Sequence, residues 1–163
     1  MKKILIGILA LIMCVSLCGC GKTASAVGAI IDNNGNAHKF APRDLCEIKE
    51  NNASEFQSLY KNAKIKIEYG EVIEVTSATK SFDDNPLLTD LWYEITIQGG
   101  WVLKVTETAH PEAASVKVGD LVTIGSTIST CSDEYVYLDN SYYSEKTGKW
   151  EDDTYLKIHD SNE

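Results

Sequence analysis

Period-two alternation of apolar and polar residues from Ile65 onward, glycines set inside those alternating runs, and a Gly99-Gly100 turn between two of them predict a mainly β domain. The expected architecture is a five-stranded, partly open Greek-key barrel with a leading α-helix and a short helix between strands three and four.

Each element has its own signal. Pro42 and Arg43 open a helical pattern in which Leu45, Ile48, Phe56, Leu59 and Tyr60 share one face, while Glu47, Lys49, Glu50, Glu55 and Lys61 point away. Proline suits a first helical turn because its missing N–H has no intrahelical partner there. Asn51 and Asn52 allow a second start, capped by Asn52 with Glu55 three residues on. The first strand then runs from Ile65 through Ile67, Tyr69, Ile73 and Val75, with Gly70 as the bend or bulge that lets one strand serve two sides of a barrel. Lys80 to Asp90 is expected to be a loop. Tyr93, Ile95 and Ile97 alternate inward on strand two, and Gly99-Gly100 is a two-residue hairpin turn. Trp101, Leu103 and Val105 return on strand three. The 108–116 segment forms a short helix, Leu121 to Cys131 strand four with Gly125 inside it, and Tyr135 to Leu138 strand five. Beyond Asp139 the chain is polar, with Trp150, Tyr155, Leu156 and Ile158 as material for a hairpin.

Helix, long bent strand, hairpin, short helix and hairpin follow one another as in the OB-fold. The run ASEFQSLYKNAKIKIEYGEVIEV, followed by VKVGDLVTIGSTIS and YVYLDN, resembles the OB-fold domains related to the tRNA-anticodon-binding family. In those domains a leading helix enters the first strand through a lysine-rich turn, and a Gly-Asp pair precedes strand four. The resemblance covers Asp44 to Asn140 and implies the same OB-like barrel here.

The N-terminus has a different logic. Lys2 and Lys3 precede an apolar run from Ile4 to Val15, too short for a hydrocarbon core that takes about 20 apolar residues. The end of this run, Leu17-Cys18-Gly19-Cys20, resembles the lipobox of bacterial lipoproteins, with Cys18 in a place more often held by Ala, Ser or Thr. The resemblance implies that residues 1–19 are a signal peptide, removed before Cys20, and that Cys20 carries a diacylglyceryl anchor on the extracytoplasmic face of the cell membrane. An ordinary secretory signal or an uncleaved signal anchor is the alternative. Residues 20–41 are then expected to be a tether, within which Val27 to Ile31 is apolar enough for a short strand, 42–140 the helix and barrel, and 141–163 a polar C-terminal extension.

Cleavage leaves 144 residues, enough for one domain, and removes two lysines. Of 15 basic residues 13 remain, against 24 acidic, a net charge of −11. Such a surface repels nucleic-acid phosphates and anionic headgroups, so acyl chains rather than basic residues must hold the protein to its membrane. Cys46 and Cys131 are the cysteines left beside Cys20. Outside the cytoplasm they can pair, closing a long loop worth about 4 kcal/mol, or stay as two buried thiols.

No strong catalytic constellation is present. Asp32-Asn33-Asn34-Gly35-Asn36 starts like a calcium loop, but Ala37 stands where that loop needs Gly, so an Asx turn is the better reading. Asp83-Asp84 read as a solvated loop rather than a cation site. His38, His110 and His159 lie far apart, without ligand spacing, and are expected on the surface. There is no nucleophile elbow and no phosphate-binding glycine loop. No metal and no cofactor is therefore expected. The surface that stands out is the outward side of strands two and three, where OB-folds bind ligands. Trp92, Glu94, Thr96 and Gln98 lie there beside Val102, Lys104 and Thr106. Trp92, Glu94 and Lys104 form the candidate ligand face, unless Trp92 packs under the 80–90 loop or the C-terminal tail. The functional expectation is a lipid-anchored module for protein, small-ligand or glycan contacts that does not bind nucleic acid. A small cell-envelope hydrolase or metal-dependent enzyme is the alternative.

Overall fold

A computed structural model of the chain describes residues 27–82, 85–139, 142–144, 149–151 and 154–159, with side chains for those outside 80–88 and 140–153. The signal peptide, Cys20, the first part of the expected tether, Asp83-Asp84 and the Trp150 side chain lie outside the described residues. The fold is mainly β, with one eight-stranded sheet and a separate two-stranded one.

Leading helix α1 spans Pro42–Asn51. Pro42 stands at its start, and Asp44 Oδ2 accepts from the Ala41 N–H at 3.0 Å. The expected break at Asn52 is present. Its side-chain oxygen accepts from the Glu55 N–H at 3.2 Å, and its amide donates to Glu55 Oε2 at 3.0 Å, reciprocally capping a new helical turn. From Phe56–Tyr60 that turn widens to a π-helix, closed by the Lys61 N–H on the Phe56 carbonyl at 3.0 Å. Leu45, Cys46, Phe56 and Tyr60 face the core and are buried.

Strands β1 (Gly28–Ile31) and β2 (Ala37–Phe40) form a hairpin, and β1 continues the sheet by pairing antiparallel with β3 (Lys64–Phe82). The tether expected over 20–41 therefore gives way to sheet by Gly28. Ile30 is fully buried in the core, which outweighs the small polar residues around it.

The 32–36 turn is an Asx turn built on Asp32. Its Oδ1 accepts from the N–H groups of Asn34 and Asn36 at 2.9 and 2.8 Å, and its Oδ2 bonds His38 Nε2 at 2.9 Å and the Asn36 amide at 3.1 Å. Asn33 reaches the other way, donating to the carbonyls of Ser58, Leu59 and Lys61. The turn thereby caps the end of the π-helix. The bond from His38, helped by those from Asn36 and Asn34, holds the Asp32 carboxyl at about 2 against the opposing effect of burial. Because the folded value lies below the ordinary 3.8, this contribution is complete above that pH and disappears as pH falls toward 2. In the Asp32→Asn variant the urea midpoint should be lower than wild type at pH 7 and should converge on it as pH falls toward 2. Urea titrations across that range check this.

Strand β3 pairs with β6 (Leu121–Ser132) up to Glu71 and with β4 (Asn85–Ile97) from Val72. The expected bulge at Gly70 is present, just before that change of partner. The β3–β6 register slips between Ile67 and Gly70, Tyr69 takes a φ of 53°, and a Cβ on Gly70 would lie 2.5 Å from Ile97 Cγ2. Lys80 to Asp90 is not the expected loop. Both strands run on through it, paired from Thr79↔Leu91 to Phe82↔Asn85, as a ribbon reaching past the point where β4 leaves β5 (Trp101–Thr106). The turn at 98–100 takes three residues rather than two, because the Gln98 N–H bonds the Glu71 carbonyl at 2.8 Å. Gly99 and Gly100 hold φ of 91° and 103°.

The expected helix over 108–116 contracts to a single 3-10 turn at Pro111–Ser115. Strand β6 then pairs with β7 (Tyr135–Asp139), and β7 lies parallel to β5. A short pair, β8 (Tyr142–Ser144) and β9 (Lys149–Glu151), stands apart from the main sheet. Strand β10 (Tyr155–His159) adds to the outer side of β6. The segment beyond 140 is thus not merely an extension: Leu156 enters the core at 8% exposure, and the Tyr155 ring lies where a Cβ on Gly125 would sit.

Candidate functional site

Alternation sends Ile95 and Ile97 of β4 and Trp101, Leu103 and Val105 of β5 inward, all fully buried. Trp92, Glu94 and Lys104 are left on the opposite face. Glu94 and Lys104 stand directly across from each other, with Lys104 Nζ 3.1 Å from Glu94 Oε2. The same ammonium lies 4.7 Å from the centroid of the Tyr137 ring on β7, a cation–π distance. Lys104 is therefore held between a carboxylate on one neighbouring strand and an aromatic face on the other.

A groove opens on each side of Lys104. The narrower, about 70 Å³, is lined by Thr76, Ser77 and Ala78 of β3 with Trp92, Tyr93 and Glu94. The half-buried Trp92 indole sits opposite Ala78 there, across the β3–β4 ladder. The wider, about 390 Å³, has Ser129, Thr130 and Ser132 of β6 with Tyr137 and Asp139 of β7. Together their linings hold hydroxyls, one paired lysine, the carboxyl residues Glu94 and Asp139, and three aromatic residues, Trp92, Tyr93 and Tyr137, a set suited to hydrogen bonding and stacking.

The exposed face is smaller than alternation implies. Thr96, Val102 and Thr106, expected to point into solvent, are 6%, 2% and 9% exposed. Short side chains in strands flanked on both sides lie below the tips of longer neighbours such as Lys104 and Tyr137. Tyr137 and the β6 hydroxyls are the residues that strand-by-strand reasoning misses. The alternation Tyr135, Tyr137 against buried Val136, Leu138 marks Tyr137 as outward, but nothing local says that β7 lies beside β5.

The histidines are not the expected free surface groups. His38 bonds Asp32 and stacks on Phe40 with ring centroids 5.5 Å apart. His110 is buried, with Nδ1 3.1 Å from Glu112 Oε1. His159 meets Thr123 Oγ1 at 2.7 Å and the Tyr69 ring at 4.4 Å between centroids. Among the described residues no three His, Cys, Asp or Glu side chains converge as a metal site. No described helix is long and apolar enough to cross a membrane.

Cys46 of α1 and Cys131 of β6 come together as free, buried thiols, 4% and 2% exposed. Cys46 Sγ donates to the Tyr135 carbonyl at 3.5 Å, and burial pushes both thiols up. Lys49, one turn along α1, donates to Thr130 Oγ1 at 3.0 Å and to the Cys131 carbonyl.

No protein-family model matches the chain, and neither a curated protein nor a solved structure shows significant similarity to it.

Proposed function

We propose that the mature chain is a lipid-anchored, extracytoplasmic binding module built on a five-stranded OB-like barrel, taking a glycan or protein segment on the β4–β5–β7 face. The barrel reading is supported by the cycle of pairings: β3 with β4, β4 with β5, β5 parallel to β7, β7 with β6, and β6 back to β3. That is the strand order of a closed OB barrel, with β1, β2 and β10 added outside it. The observation that carries the ligand face is the pair of grooves meeting at Lys104, between Trp92 and Tyr137. Aromatic rings beside hydroxyls stack on sugar or peptide planes and satisfy their polar edges. Among the described side chains of this face the cation is Lys104, and it is already paired with Glu94, which leaves little to hold a phosphate backbone.

The test is a pair of titrations on the intact protein followed by NMR of the strand amides. Solubilised cell-wall glycan fragments or the peptides that cross-link them should shift resonances around Trp92, Lys104 and Tyr137, and Trp92→Ala should weaken that binding at least tenfold. Labelled oligonucleotides at low salt should not bind. A micromolar oligonucleotide complex that weakens steeply with salt would overturn the reading.

A further inference from the structure

We propose that Cys46 and Cys131 are a disulfide site, closed while the chain folds outside the cytoplasm and sealed afterwards by α1. The two residues are 85 apart in sequence, yet the Cys46 thiol reaches the Tyr135 carbonyl on the strand paired with that of Cys131, and Lys49 one helical turn on reaches the Cys131 carbonyl itself. Both are buried between α1 and the β6–β7 hairpin, where the Tyr135 carbonyl and Lys49 fix their surroundings. The bridge would staple the leading helix to the far end of β6, which is otherwise held there by Leu45, Phe56 and the Lys49 bonds.

The chemistry needs an oxidant, and a disulfide-bearing partner supplies it: glutathione disulfide in solution, or a thiol oxidase of the cell envelope. The Cys46 thiolate attacks one sulfur of the oxidant, breaking that S–S bond and releasing the first thiol. Cys131 then attacks the Cys46 sulfur of the mixed disulfide, forming the Cys46–Cys131 bond and releasing the second thiol. Two electrons pass to the oxidant's disulfide, and the two thiol protons end on its sulfurs. In the folded protein neither thiol is exposed, and burial disfavours the thiolate that attack requires. Closure therefore belongs to the stage before α1 docks.

Intact protein is taken from its membrane into acid, alkylated in denaturant without reductant, and peptide-mapped. The expected result is a linked pair of peptides carrying Cys46 and Cys131, both becoming alkylatable only after reduction. The same link should form when reduced, denatured chain refolds in a glutathione redox buffer. Folded reduced protein should oxidise at least tenfold more slowly in that buffer. Reduction should lower the melting temperature by roughly 10 °C. In a Cys46→Ala/Cys131→Ala double variant reductant should leave the melting temperature unchanged, which separates the bridge from a packing role. Two alkylated cysteines in both preparations, or links that join separate chains, would overturn the proposal.

Discussion

Cys20→Ala should either release this protein from membranes or leave it as an uncleaved precursor. If residues 1–19 are removed, the net charge of −11 that remains gives anionic headgroups little to attract, so the proposed anchor rests on Cys20. If Cys20 carries two acyl chains they anchor stably, whereas a single chain binds only reversibly, and removing the sulfur would remove both. Carbonate-washed membranes probed for the protein measure this directly. Wild-type levels of processed, membrane-bound Cys20→Ala would show that the Leu17–Cys20 motif is not a lipidation site.

Trp101→Ala should be the most damaging substitution inside the domain, costing about 3–5 kcal/mol, a large part of the whole stability of a domain this size. Among the described residues Trp101 is the largest fully buried side chain, set at the first position of β5 immediately after the double glycine. Its ring fills the space over Gly28, where a Cβ would lie 2.9 Å from Trp101 Cζ2 and 2.5 Å from Ile65 Cδ1. One indole therefore ties the outer β1–β2 hairpin to the central sheet, and its loss leaves a cavity that neither can collapse into. Trp92→Ala, on the half-buried outer face, should cost less than half as much. Urea unfolding of both variants checks the ordering, which fails if Trp101→Ala costs under about 1 kcal/mol.

Local signals were sufficient where a segment buries one face against one neighbour. The Asn52 cap, the helix face through Tyr60 and the bend at Gly70 were all legible, because each depends on residues within a few positions. The Lys80–Asp90 ribbon was not. Its residues, KSFDDNPLLTD, have no period-two pattern, since strands that pair only with each other need not turn an apolar side to a core. The apolar run Val27 to Ile31 marked the first strand of the 28–40 hairpin, but its return was hidden, because Ala37–Phe40 turns no fully buried side chain to the core. Of the candidate site, Trp92, Glu94 and Lys104 followed from alternation and from one hairpin turn. Tyr137 and the β6 hydroxyls depend on β5 lying parallel to β7, a contact between distant segments that no local pattern encodes.

The early start of the sheet sets the length of the leash. If Cys20 is acylated, only seven peptide steps separate it from Val27, and whatever their conformation they can reach no more than about 25 Å. A tether running to Ala41 would allow about 75 Å. The volume the body can explore shrinks with the cube of that ratio, roughly thirtyfold, and the local concentration of any partner held in the same membrane rises correspondingly. Affinities too weak to register in free solution suffice at such a distance, provided the partner also sits close to the lipid. A target far out in the wall is beyond reach, so the hairpin that begins at Gly28 selects its neighbours by altitude before any groove selects them by shape.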